Sequence, residues 1–325
     1  MPLEKVPHGS KETRVITATT HARRAVWLAP TWRTIKKHWL VYLLGVVLPV
    51  ALFLVFVGYP LVYTVYLSFV DWNGLSAHIT FVGLSNFVEL VQDGTFWLSF
   101  VNTVKWTAGT LLFADVFAFL LAVFLRSNKI YFGSLCRALL FLPVTMSLVA
   151  VGIMFSFILS PGFGALGVVL QAMGLGIQNP DLLGNSSTVT YTLIVLFGWS
   201  YLGIPLMLFD AGVTQIPGDL YEAAAMEGAT GVQTLWHITI PMLRPIFMVV
   251  TMLAVIEALR AFDLVVVMTK GGPGNASNVL GYFMYITAFD ETRLGYGASV
   301  STVILVLSAA FAIVYLRRVG SEVLE

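Results

Sequence analysis

At 325 residues the chain is 58% hydrophobic and 11% charged, with a mean hydropathy of +0.86 and a formal net charge of +1. The charged share is under half of the ~25% usual in soluble domains, so lipid is the expected solvent, and near-neutrality excludes the basic footprint of a nucleic-acid binder. One cysteine, Cys136, excludes an intramolecular disulfide framework.

Residues 1–38 lack a sustained apolar period and read as a flexible or surface-lying amino-terminal tail, the alternative being that Trp27 and Trp32 beside basic residues hold part of it at the membrane interface. A helix needs about 20 mainly apolar residues to span a hydrocarbon core, because nothing there satisfies its backbone except itself. Six windows meet this: 40–69, 103–125, 138–159, 191–212, 242–268 and 299–316. The expectation is an all-α integral membrane protein with about six transmembrane helices over residues 39–318 and a short tail at 319–325. The first window is too long for the apolar region of a cleavable signal peptide and reads as an uncleaved span. Gly58, Tyr59 and Pro60 inside it predict a tilted or kinked helix.

Lys and Arg concentrate in the amino-terminal segment, in the second connection (Arg126, Lys129, Arg137) and in the tail (Arg317, Arg318). With six spans these fall on one side, which predicts that both termini are cytoplasmic. Connections 71–102, 160–190 and 269–298 then lie outside, each long enough to fold against a partner. Lys105 near an interface extends its ammonium toward water. The five histidines show no ligand spacing, so no metal is assigned, and no catalytic residue or intramembrane protease motif appears.

The connection between spans four and five, within 213–241, is the most informative. Pro217 and Asp219 suit a helix start, residues 220–227 are good helix formers, Gly228 can take the left-handed conformation that ends a helix, and a second short helix follows from about Thr230. Ala223, Ala224 and Ala225 remove side-chain bulk, while Glu222 and Glu227 offer carboxylates to a basic partner. From the residues alone this is either a docking element or an amphipathic connector on the membrane.

Glu222-Ala223-Ala224, Gly228, Ile238 and Ile240-Pro241 resemble the cytoplasmic signature of permease subunits of ATP-binding-cassette importers, with Ile240 in place of the usual Leu. Ile216-Pro217, Leu220-Tyr221, Glu227-Gly228-Ala229, Phe262-Asp263, the run from Thr269 to Gly274, the external run from Phe81 to Phe87, and Asn102-Thr103 resemble the carbohydrate permeases of the maltose and glycerol-phosphate type. The resemblance covers residues 40–318. It implies a coupling helix in which Glu222, Ala223, Ala224 and Gly228 transmit motion from a separate ATPase. It also implies two ATPase subunits that bind ATP and Mg, a second and different permease chain, and an extracytoplasmic sugar-binding protein. The setting implied is a bacterial or archaeal cytoplasmic membrane. The chain itself, lacking a phosphate-binding loop, is expected to be no enzyme and to hold no cofactor. Gly271, Gly272, Pro273 and Gly274 form an external turn that the resemblance places near the docked binding protein.

Ionisable groups inside a span belong on the bundle interior. Glu257, Arg260 and Asp263 at three-residue spacing predict one helical face, lining a substrate path with Phe262 as a stacking surface or forming an ion-pair ladder between helices. Asp115 faces the same interior or pairs with Arg260. Tyr201, Pro205 and Met207 are weaker candidates for the path, because aromatic and flexible apolar residues in membrane bundles usually pack. The competing function is a secondary transporter driven by an ion gradient, with Asp115 or Glu257 carrying protons.

Overall fold

The computed structural model describes residues 39–126, 132–174 and 180–323, with side chains described to Arg317. Lys129, the tail before residue 39 and the side chain of Arg318 lie outside the described residues.

Helix α1, Trp39–Leu67, is a 29-residue apolar helix. Residues to Val62 form a compact unit of their own, and those from Tyr63 a second unit. The kink expected near Pro60 is replaced by a π-helical turn at Leu54–Gly58. Widening the helix just before Pro60 accommodates the ring that would otherwise meet a carbonyl four residues earlier.

In the second unit, a small antiparallel pair, β1 (Val70–Asp71) and β2 (Thr80–Phe81), places Val70 opposite Phe81. It is followed by α2 (Ser85–Gln92) and the long α3 (Gly94–Leu125), which begins nine residues earlier than the apolar window suggested. The start of α3 is amphipathic rather than uniformly apolar, so its helical character is hidden from a hydropathy window.

The next three spans are bent. α4 (Gly133–Thr145) meets α5 (Leu148–Ile158) at 100°, α7 (Val189–Tyr201) meets α8 (Gly203–Gln215) at 45°, and α10 (Gly231–Met242) meets the Arg244–Met268 segment at 70°. Pro143 at the start of the last turn of α4 explains the sharpest bend. Between these spans lie α6 (Ala165–Ala172) and α9 (Gly218–Met226). The Arg244–Met268 segment is itself interrupted, giving α11 (Arg244–Leu259) and α12 (Asp263–Met268). Helix α13 (Leu280–Tyr285), prolonged by a π turn to Asp290, precedes α14 (Leu294–Val323). Among the described residues three helices are thus long and apolar enough to cross a membrane, and up to six spans result when each bent pair is one crossing.

The bundle closes around spans two, four and five. Phe119, Phe209 and Phe247, one from each, pack with ring centroids 5.6, 5.0 and 4.6 Å apart, within the range where aromatic pairs add to simple burial. Gly198 lies against the ring of Phe113, leaving no room for a Cβ. Close approach of this kind is how helices associate where lipid removes the hydrophobic drive. A second cluster, Leu90, Phe96, Leu280, Phe283, Tyr296 and Val300, ties α2 to α3, α13 and α14.

Candidate functional site: a helix–glycine–helix loop, a broken span and a stapled loop at the opposite end

The loop between spans four and five is built from local backbone chemistry. Helix α9 starts after Pro217, carries Asp219 in its first turn and stops at Glu227. Gly228 has φ of +77°, and two bonds close the end: Gly228 N–H donates to Ala225 O at 3.1 Å and Ala229 N–H to Ala224 O at 2.9 Å. This is the paired closure that a left-handed residue makes possible. Thr230 then caps α10 in a reciprocal box with Gln233: its backbone N–H donates to Oε1 at 2.7 Å, and Gln233 N–H donates to its hydroxyl at 3.4 Å. The helix, glycine turn and second helix expected from the sequence are all present.

The three alanines do not share one role. Ala224 is buried, whereas Glu222, Ala223, Ala225 and Glu227 are exposed. Ala224 seats the helix on the bundle, and the expectation that all three present a bare surface is corrected accordingly. Tyr221 and Thr239 join the two short helices through their hydroxyls at 3.2 Å. Behind α9 a cavity of about 410 Å³ is lined by Tyr221, Ala225, Thr234 and Thr239 together with Val123 and Arg126. The outward side carries Leu220, Met226, Val232 and Trp236, all exposed and apolar, beside the carboxylates of Asp219, Glu222 and Glu227.

Arg126 and Arg137 of the second connection lie at this same end. Arg126 donates to Thr214 Oγ1 at 2.7 Å. Arg137 Nε stands 3.1 Å from Asp210, at an angle too oblique for a hydrogen bond, so the attraction is Coulombic.

The polar residues of span five are arranged otherwise than a continuous helix would place them. α11 ends at Leu259, Arg260 is its C-cap, Phe262 adopts φ of −150° and ψ of −49°, and Asp263 opens α12. The single helical face expected for Glu257, Arg260 and Asp263 is therefore broken between the second and third residues. The reason is visible in the charges: a cation at the end of one helix and an anion at the start of the next both complement the helix dipoles. Arg260 pairs with Glu257 at 3.6 Å, both ends part-exposed, and the ladder stops there. Asp115 does not join Arg260; its Oδ2 accepts from Thr251 Oγ1 at 2.9 Å, between spans two and five.

What the break creates is a pair of neighbouring hollows. A small one of about 80 Å³ is lined by Glu257, Arg260, Phe262 and Asp263 with Trp106 and Phe197. A larger one of about 270 Å³ is lined by Pro143, Met146, Ser200, Tyr201 and Glu257. Glu257, Phe197 and Leu148 border both. Phe262 also rests edge-on against Tyr285 at 5.3 Å. Trp106 is 1% exposed, and its indole N–H has no partner among the described residues. Sequence reading missed Trp106 and Ser200 and gave Tyr201 only as a weaker candidate; Tyr201 stacks on Phe197 with 9° between planes and lines the larger hollow. Met207 is exposed and Pro205 buried, and neither lines these two hollows. Lys105 is exposed and lies 5.9 Å over the ring of Tyr191.

At the opposite end the 269–278 loop is held by buried amides and hydroxyls. Asn102 donates to the carbonyls of Ala276 and Asn278, Thr190 donates to Ala276 O at 2.6 Å, and Leu280 N–H donates to Thr103 at 3.0 Å. Inside the loop, Ser277 Oγ donates to Gly272 O at 2.7 Å and meets Thr269 Oγ1 at 2.8 Å. Gly271, at φ of +77°, is buried against the ring of Tyr282. Of the four residues expected to present an open turn, Gly271 thus faces inward, Gly272 and Pro273 are half-buried, and Gly274 is exposed.

A bundle of bent spans carrying an exposed helix–glycine–helix loop at one end defines a multi-pass membrane transport component. The chain belongs to the family of binding-protein-dependent transport system inner membrane components, whose family model matches residues 114–320. The probable ABC transporter permease protein YurN of Bacillus subtilis is 33% identical over 278 residues, covering 84% of this chain and 95% of YurN. The arabinooligosaccharides transport system permease protein AraP of the same organism is 31% identical over 273 residues, 83% of this chain and 85% of AraP. A chain of the crystal structure of a bacterial ABC transporter that imports the acidic polysaccharide alginate shares the fold, with a TM-score of 0.77 at 22% identity over 89% of this chain and 98% of that one.

Proposed function

We propose that this chain is one permease subunit of an ATP-driven sugar importer, supplying half the membrane path and receiving motion from a separate ATPase through α9. The observation that carries the reading is the capped loop from α9 to Thr239, exposed on a surface that mixes carboxylates with apolar side chains, in a chain of this family. Such a surface suits a groove with basic rims, since charges at the edge steer association while apolar groups at the centre hold it. Names of several relatives, AraP and the multiple sugar-binding transport permease MsmF of Streptococcus mutans, refer to sugars, and that is the substrate class assigned to this chain.

On this reading Glu222 and Ala223 contact the ATPase, Ala224 and Gly228 shape the helix, and two ATPase subunits bind ATP and Mg. A second, different permease chain completes the path, an extracytoplasmic sugar-binding protein docks near Gly274 at the other end, and both termini are cytoplasmic. Glu257, Arg260, Phe262 and Asp263 border the path where span five is broken, supplying hydrogen-bond partners for hydroxyl groups, with Asp115 acting as a structural link to Thr251. Affinity purification from the native membrane in mild detergent, with mass spectrometry of co-purifying chains and sugar-stimulated ATPase assay, tests the whole. Recovery of an ATPase, a second permease and a sugar-binding protein supports it; an ATPase-free assembly that transports with an ion gradient overturns it.

A further inference from the structure

Helix α2 has two faces of opposite character, and only one of them is accounted for by the bundle. On the inner side, Asn86 is buried and donates to the carbonyls of Ser68 at 3.0 Å and Val70 at 2.9 Å, while Leu90 is 2% exposed in the cluster with Phe96 and Tyr296. At its edge, Glu89 receives Arg293 through both oxygens at 2.7 Å, and the guanidinium lies 4.5 Å over the ring of Tyr296. The hydrogen bond that Arg293 donates to Glu89 raises its pKa above the ordinary value, with burial opposing. These fastenings fix the rotation of α2 about its axis.

The outer side presents Leu84, Val88 and Val91 at helical spacing, 64%, 57% and 61% exposed, with Ser85 and Gln92 exposed at its edge. Phe81, at the end of the hairpin, is exposed beside them. This stripe runs into an established membrane surface. Only Asp93 separates α2 from α3, and its carboxylate caps α3 by accepting from Thr95 N–H at 2.7 Å. Trp97 closes the elbow, its indole donating to Val91 O at 2.8 Å. From Trp97 the exposed apolar stripe continues down α3 through Leu98, Val101 and Val104.

Length sets the depth. The 32 residues of α3 extend about 48 Å, against a hydrocarbon core of about 30 Å and about 40–45 Å with headgroups. The first turn of α3 therefore stands at headgroup level, where tryptophan is favoured, and α2 leaves it there with its apolar side outward.

We infer that α2 is an interfacial helix of the outer leaflet, whose Leu84, Val88 and Val91 face lies in lipid rather than against a protein. An amphipathic helix of this kind gains stability from apolar area sunk at the boundary between headgroups and acyl chains. Through Glu89, Asn86 and Leu90 it holds the outer ends of α1 and α14 at a fixed height relative to the bilayer, so the external loops ride on a float rather than on the spans alone. This inference rests on the membrane-spanning character of α3 and not on the identity of the transported solute.

The test uses the complete transporter in vesicles of phosphatidylethanolamine and phosphatidylglycerol, with Cys136→Ser as background. Nitroxides are placed by Val88→Cys and Val91→Cys, with Ala77→Cys in the hairpin as an aqueous control, Val104→Cys as a lipid control and Leu90→Cys as a buried control. Collision with oxygen and with a water-soluble nickel chelate is measured by electron paramagnetic resonance. High oxygen and low nickel accessibility at positions 88 and 91, several-fold away from position 77 and close to position 104, supports the inference. Nickel accessibility matching position 77 overturns it in favour of a water-exposed surface, and shielding from both reagents as at position 90 overturns it in favour of a protein partner. If labelling prevents assembly, Val88→Trp in the same vesicles made with brominated lipids gives the same decision: quenching beyond that of the parent supports lipid contact, and its absence overturns it.

Discussion

The side-chain amide of Asn102, in the first half of α3, donates to the carbonyls of both Ala276 and Asn278, at 2.8 and 3.0 Å, joining residues 174 and 176 positions away. Asn102 is 1% exposed, so its loss leaves buried carbonyls short of a donor. Ala276 retains Thr190, whereas among the described residues no other donor is shown for Asn278 O.

Asn102→Ala is accordingly expected to destabilise the chain by roughly 1–3 kcal/mol, the cost of leaving a buried acceptor unsatisfied. Asn102→Asp is expected to be worse, because a carboxylate cannot donate to two carbonyls. Thermal unfolding in detergent, followed by tryptophan fluorescence, measures both. A melting temperature unchanged in Asn102→Ala would show that the 269–278 loop holds itself through Ser277 and Thr269 alone.

Gly228 offers a sharper test of the coupling loop. At φ of +77° an added Cβ meets no neighbour within 4 Å, so Gly228→Ala isolates backbone strain from packing. The cost expected is on the order of 1 kcal/mol, spent at the turn that orients α9 against α10. ATPase activity of the assembled complex should become less responsive to sugar, with total expression little changed. Equal coupling in Gly228→Ala and parent would mean that the left-handed turn is dispensable.

Ala224 and Ala223 differ in what surrounds them, and their variants should differ in kind. Ala224→Leu places bulk on the buried side and is expected to cost about 1–3 kcal/mol through overpacking, read as a lower melting temperature of the isolated chain. Ala223→Arg leaves the fold alone and is expected to reduce co-purification of the ATPase. Should Ala223→Arg retain full ATPase binding and coupling, the exposed side of α9 is not the docking surface.

The contrast between the two ends of span five explains which parts of the molecule are legible in sequence. Pro217, Gly228 and Thr230 act through bonds to residues within a few positions, so their types and spacing suffice to place α9 and the start of α10. The interruption at Arg260–Phe262 contains neither glycine nor proline, and a hydropathy window passes over it; the polar spacing then suggests one continuous face. Only the dipole argument, a cation closing one helix and an anion opening the next, marks the break, and it needs the break to be suspected first. Pro143 was a local signal for the bend between α4 and α5. The lining by Trp106, Ser200 and Tyr201 depends on four spans meeting, two to five, and single-span periodicity cannot report that.

Those spans meet at Glu257, and the last expectation concerns it. Glu257 borders both hollows, whereas Asp115 borders neither and satisfies Thr251 instead. Removing each carboxylate therefore separates a path from a scaffold. Glu257→Gln keeps the size of the side chain and removes the charge that faces Arg260 across 3.6 Å. That part-exposed pair contributes at most about 1 kcal/mol to stability, so assembly should survive while sugar uptake into proteoliposomes falls, with binding-protein affinity for sugar unchanged. Asp115→Asn preserves an acceptor for Thr251 and should leave uptake near the parent level; Asp115→Leu removes it and should lower thermal stability. Full transport by both Glu257→Gln and Glu257→Ala would remove Glu257 from the path, and the broken span would then serve only to let Phe197 and Tyr201 pack beneath it.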